Sequence, residues 1–124
     1  MDNAMEEILR LAQGLGQTIR QHPRYQKLVE ADGKVNADKV AADAWEGYNR
    51  AYAALVQKSQ RGQPIEVDEK RRLEGLKQAV AGNDTLKTFL RAQADYAELM
   101  QQMNAAIFKA IGGDKGEGEE EAKE

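Results

Sequence analysis

Few side chains in this 124-residue chain could do covalent or acid–base chemistry. There is one histidine, His22, and no cysteine. Thiolate catalysis, disulfides and Cys-ligated zinc or iron–sulfur clusters are therefore excluded. A ferritin-like diiron site needs two E-x-x-H motifs from different helices, which a single histidine cannot supply. His22 precedes Pro23 and reads as a surface or capping residue. Asp95 and Glu98 stand at helical spacing beside basic residues and read as a solvated face. Acid/base partners would need burial and a cleft to separate their pKa values. No phosphate-binding G-x-x-x-x-G-K-S/T loop, dinucleotide-binding G-x-G-x-x-G or nucleophile-bearing G-x-S-x-G occurs. No catalytic residue, metal ligand or cofactor is expected.

The remaining chemistry is that of contact. Lys70, Arg71, Arg72 and Lys77 cluster in one helical segment, with Lys87 and Arg91 in the next. Glu69 and Glu74 interleave with the first group, so the expectation is a mixed, salt-bridged helix face. A nucleic-acid binder needs a more concentrated basic footprint, and none is expected to be bound directly. Trp45, Tyr48 and Tyr52 form one stripe in a chain with only seven aromatic residues. Phe89, Tyr96, Met100, Met103 and Ile107 form another at near-3.5 spacing. Aromatic anchors and adaptable methionines suit an interface, and these eight residues are the candidate contact surface.

The elements that carry them all have helical periodicity, and no stretch of β-branched residues alternates with period two. Helix one begins at Asp2 or Asn3, carries Met5, Ile8, Leu9, Ala12, Leu15 and Ile19 at i, i+3/i+4 spacing, and ends near Gln21. Pro23 biases His22 away from the α region and suits the first position of helix two. That helix is expected to be short, with Tyr25, Leu28 and Val29 on one face, and to break at Gly33. Asn36 or Asp38 then caps helix three, and SQRGQP (59–64) is a loop. Helix four runs from about Glu66 or Asp68 to Ala81, burying Leu73, Leu76 and Val80. At AGND (81–84), Gly82 suits the left-handed C-terminal position, and Asn83 or Asp84 suits the next N-cap. Helix five is long, reaching about Ile111 before Gly112-Gly113, with a second stripe at Leu86, Leu90, Ala94 and Ala97.

Leu, Ile, Val and Phe total 23 residues against 19 alanines, a composition for closely packed helices whose burial is completed by a partner chain. The segment 112–124, GGDKGEGEEEAKE, has six acids and two lysines and is expected to be a disordered acidic tail. The N-terminus lacks a basic region followed by an apolar one, and no run approaches the roughly 18–20 apolar residues of a membrane span. A cytoplasmic location without membrane insertion is expected. The fold class is all-α: residues 1–111 form an antiparallel bundle of about five helices, with a dimer or related oligomer expected.

Two family resemblances follow. Trp45-Glu46-Gly47 spells W-x-G, the bend tripeptide of the WXG100-like helical hairpins, which are exported without a cleaved signal. Here, however, Ala41, Trp45, Tyr48, Tyr52, Leu55 and Val56 pass through the tripeptide without losing helical phase, and Gly47 falls on the face opposite Trp45. The Y-x-x-x-D/E element of that family is also missing, since four residues beyond Tyr48, Tyr52 and Tyr96 stand Tyr52, Val56 and Met100.

The second resemblance spans roughly residues 5–111. ILRLAQGLGQTIRQHPRY, then NADKVAADAWEGY, a G-x-P loop and RRLEGLKQAVAGNDTLKTFLRAQADYAELMQQMNAAIFKAI appear in the order of the YlbF/YmcA family of small bacterial helical regulators. The matching positions are Leu73, Leu76, Lys77, Asn83, Asp84, Phe89, Ala92, Tyr96 and Met100. Asn104 is a polar departure, and Ile107 and Ile111 continue the stripe. The resemblance implies a non-enzymatic regulatory adaptor that forms homo- or hetero-oligomers with related helical proteins. It also implies association with a membrane-tethered ribonuclease to direct mRNA maturation, and so control of competence, biofilm formation and sporulation. Some family members carry C-terminal cysteines implicated in iron–sulfur binding, and this chain has none.

Overall fold

The computed structural model describes residues 3–113 as five helices. They are α1 (Asn3–Gln21), α2 (Pro23–Ala37), α3 (Lys39–Gln60), α4 (Val67–Ala81) and α5 (Asp84–Ile111). There is no strand among the described residues. The acidic tail expected over 112–124 lies, from 114 onward, outside the described residues.

Local chemistry sets most of the helix ends. His22 is extended (φ −72°, ψ 140°), as a residue before proline should be, and its Nδ1 accepts from the Arg24 N–H at 3.0 Å. It therefore caps α2, and Pro23 stands where no helical N–H is needed. Asp38 is the sole residue between α2 and α3, and its Oδ1 accepts from the Ala41 N–H at 3.2 Å. Asn83 caps α5 in the same way, accepting from the Leu86 N–H at 2.9 Å. Gly112 ends α5 in the left-handed region at φ +103°, a conformation open to glycine without steric penalty.

Two expectations are corrected. α2 does not break at Gly33 but continues to Ala37. A mid-helix glycine costs about 1 kcal/mol relative to alanine. Here Ala31 and Val35, one on each side of it, are both buried in the core, and their burial offsets that cost. Gly82 is not left-handed either: its φ is −87°. The last turn of α4 closes through Gly82 N–H to Gln78 O and Asn83 N–H to Val80 O, and Asn83 makes the turn. α3 is unbroken through Trp45-Glu46-Gly47, so the tripeptide is helix and not a hairpin bend. Gly47 faces α4, where an added Cβ would lie 3.6 Å from Leu76 Cδ2.

The helices pack as two antiparallel pairs. α2 lies along α5, with Tyr25 beside Tyr96 near one end and Asp38, just past α2, bonded to Thr85 at the other. α3 lies along α4, with Lys58 Nζ 2.6 Å from Glu69 Oε1 and Gly47 against Leu76. The core is Ala31, Val35, Ala41, Val80, Leu86, Phe89 and Ala92, with Ala41 and Leu86 fully buried. All seven come from one region, where the C-terminal halves of α2 and α4 meet the starts of α3 and α5. Three of the seven are alanines, which lets the backbones approach closely. Leu73 and Leu76, expected on the buried face, are half-buried, Leu76 beside Gly47 of α3. Away from that junction, α1, the second half of α5 and the α3–α4 hairpin extend with little beneath them.

Candidate protein interface

The i, i+3, i+7 spacing of Trp45, Tyr48 and Tyr52 sets three rings in a row along α3. Trp45 meets Phe89 of α5 edge to face, centroids 5.6 Å apart at 75°. Tyr48 stacks beside Trp45 at 6.4 Å, and Tyr52 beside Tyr48 at 6.1 Å. The row runs from the core outward. Phe89 is buried, Trp45 and Tyr48 are half-buried, and Tyr52 is 53% exposed. Phe89 is therefore the base on which the ladder rests, and Tyr52 is its accessible end.

The α5 stripe divides in the same way. Tyr96 is half-buried against Tyr25, with centroids 5.8 Å apart. Beside this pair, the Arg24 guanidinium donates to the Asp95 carbonyl at 3.1 Å and lies 4.0 Å from Glu98. These contacts tie the start of α2 to the middle of α5. Met100 and Met103 are half-buried, and Ile107 is 45% exposed. Phe108 and Ile111 continue the apolar surface beyond the predicted set, Ile111 being 79% exposed. The eight residues thus do not form one patch: Trp45, Tyr48, Tyr52 and Phe89 make one cluster, and the α5 residues from Tyr96 on make another.

A third apolar face was not among the candidates. α1 has no buried residue, and Met5, Ile8, Leu9, Leu11 and Leu15 are all exposed. Their spacing is that of a packed helix, so periodicity alone marks a face that seeks a partner without saying whether the same chain provides one.

One charged pair joins two helices. Glu69 has its carboxyl held below the usual range by the hydrogen bond from Lys58, with the Glu66 N–H, which donates at 3.2 Å, adding to the effect. This pair clasps α3 to α4. It also alters the expected salt-bridged face of α4: among the described residues, Lys70, Arg71, Arg72 and Lys77 have no carboxylate within 4 Å. No group of three His, Asp or Glu residues among those described could hold a metal ion. No described helix is long and apolar enough to cross a membrane.

Known proteins share this arrangement. The sequence pattern of a family described as "Control of competence regulator ComK, YlbF/YmcA" matches residues 8–112. A UPF0342 protein of Streptococcus pyogenes serotype M4 is 26% identical over 106 residues, covering 86% of this chain and 94% of the relative. A UPF0342 protein of Limosilactobacillus fermentum is 29% identical over 96 residues, covering 77% and 80%. Among solved structures, the fold is similar to a Bacillus stearothermophilus protein of unknown function (DUF964), with TM-score 0.73, 21% identity and coverage of 85% and 92%. It is also similar to Bacillus subtilis RicA, solved in complex with RicF, with TM-score 0.69, 17% identity and coverage of 87% and 96%. With its family pattern matched over nearly the whole described length, the chain belongs to the YlbF/YmcA family.

Proposed function

We propose that this chain is a non-enzymatic, cytoplasmic regulatory adaptor. It works by protein–protein contact, assembling with itself or with related helical chains. In this reading it modulates an RNA-processing ribonuclease complex and thereby developmental gene expression. One observation carries the reading: the small core leaves whole apolar faces uncovered on α1, at Tyr52 and along distal α5. Large exposed apolar patches on a small soluble chain mark interaction sites. The family's description as a control of a competence regulator, and the pairing of its structural relative RicA with RicF, are consistent with such a role. The aromatic ladder offers a partner the rigid, low-entropy contact area from which interface hot spots are built.

A crosslinked pull-down from the native host, with a C-terminal tag and mass spectrometry of the bound proteins, tests this. A ribonuclease recovered with the native chain and lost with Tyr52→Ser supports the reading. Recovery of no ribonuclease refutes the ribonuclease role.

A further inference from the structure

We infer that one side of the α3–α4 hairpin, bearing Tyr52, Lys70 and Lys77, binds single-stranded RNA. The sequence predicts no direct nucleic-acid contact, because Glu69 and Glu74 interleave with the basic cluster of α4. The fold changes that balance. Glu69 is turned in toward α3, its Oε1 taken by Lys58 Nζ at 2.6 Å and by the Glu66 N–H at 3.2 Å. Among the described residues Glu74 has no cation within 4 Å, and Lys70, Arg71, Arg72 and Lys77 have no carboxylate that close. All four cations are exposed.

Helical phase places two of these cations on the side of the aromatic ladder. α3 meets α4 along a line through Gly47 and Lys58 on one helix, Leu76 and Glu69 on the other. At 3.6 residues per turn, Tyr52 lies about a third of a turn round α3 from that line. Lys70 and Lys77 lie about a third of a turn round α4, in the same rotational sense. In antiparallel helices, equal offsets of one sense fall on the same side of the pair. Lys70 and Lys77 are two turns apart, about 10 Å along the axis, and Tyr52 stands at a level between them. Its ring is 53% exposed and is held by stacking on half-buried Tyr48. Charge and shape identify the occupant. A single strand offers phosphates to the lysines and an unpaired base to the ring, and such stacking accepts any base. A duplex keeps its bases stacked on one another, and an acidic polypeptide would leave the ring unused.

Naming RNA as the strand rests on the ribonuclease-adaptor reading, and the two can fail separately. Fluorescence anisotropy of a fluorescein-labelled oligouridylate, titrated with the full chain, should show saturable binding that weakens as salt rises. Each phosphate contact adds about 0.7 to the salt slope of a single strand. Lys70→Gln combined with Lys77→Gln should therefore flatten the slope by about 1.4 and weaken binding roughly 25-fold at about 0.1 M salt. Tyr52→Ala should weaken it roughly fivefold or more through lost stacking. Lys34→Gln combined with Lys39→Gln makes the same charge change at exposed sites on α2 and at the start of α3, and should bind as the native chain does. Far-UV circular dichroism should show native helicity in all three variants. A native chain that binds no strand overturns the inference, as does a Lys70/Lys77 variant that binds as the native chain does. So does an equal loss in the Lys34/Lys39 variant, which would reduce the binding to bulk charge. Tighter binding of the matched deoxyuridylate overturns the assignment to RNA. Displacement of the strand by polyglutamate at matched charge would make an acidic polypeptide the occupant. A chain that binds RNA but captures no ribonuclease would sustain this inference and remove the ribonuclease role instead.

Discussion

Asp38 makes two bonds with one carboxylate, and its removal should be felt at both. Oδ1 caps α3 through the Ala41 N–H, while Oδ2 accepts from the Thr85 hydroxyl at 3.0 Å, 47 residues away in sequence. The cap contributes about 1 kcal/mol. A hydroxyl bond to an ionised carboxylate adds about 1.5 kcal/mol when partly buried. Asp38→Ala should therefore destabilise by about 2–3 kcal/mol, a fall in Tm of roughly 10 °C for a chain of this size. Asn is as good an N-cap as Asp, but its amide NH2 cannot accept from the Thr85 hydroxyl, so Asp38→Asn should keep the cap and lose the Thr85 bond, about 1–1.5 kcal/mol. Urea denaturation followed by far-UV circular dichroism, at fixed protein concentration, gives these differences. A double-mutant cycle with Thr85→Val should return a coupling of about 1 kcal/mol. A loss below about 0.5 kcal/mol for Asp38→Ala, or strict additivity with Thr85→Val, would refute the claim that this carboxylate joins the α2–α3 junction to α5.

Trp45→Ala should cost about 2–3 kcal/mol, below the 3–5 typical of fully buried tryptophan because the ring is half-buried, and should abolish most near-UV dichroism. Gly47→Ala should stabilise by about 0.5–1 kcal/mol in the same urea titration, since the new methyl meets Leu76 at an ordinary 3.6 Å and the helix gains propensity. A destabilised Gly47→Ala variant would mean that α3 bends there after all. Glu69 has a lowered carboxyl pKa in the folded chain, so its contribution is present above the ordinary value of 4.5 and is lost as pH falls through the lower folded value. Stability curves across that acid range should be flatter for Glu69→Gln than for the native chain.

Much of the fold was legible because its rules act within a turn or two of helix. Pro23, Asp38, Asn83 and Gly112 mark helix ends by the chemistry of their own backbone neighbours. The unbroken phase from Ala41 to Val56 identified Trp45-Glu46-Gly47 as helix, as α3 bears out. The diffuse stripes of the second half were enough to suggest the family. Single-residue breakers were the weak point. Gly33 was expected to end a helix it merely sits in, because the burial that holds α2 together comes from α5, far along the chain.

The candidate interface was legible as residue types but not as surface. Phe89 and Ile107 occupy equivalent places in one stripe, yet Phe89 is buried and Ile107 is open. The stripe of α1 has the same spacing as that of α5, yet α1 buries nothing and α5 supplies Leu86, Phe89 and Ala92 to the core. Periodicity is a property of one helix, written in its own side chains. Burial is a relation between helices, and it depends on where Asp38, Asn83 and the α2–α5 contact place each face relative to the others.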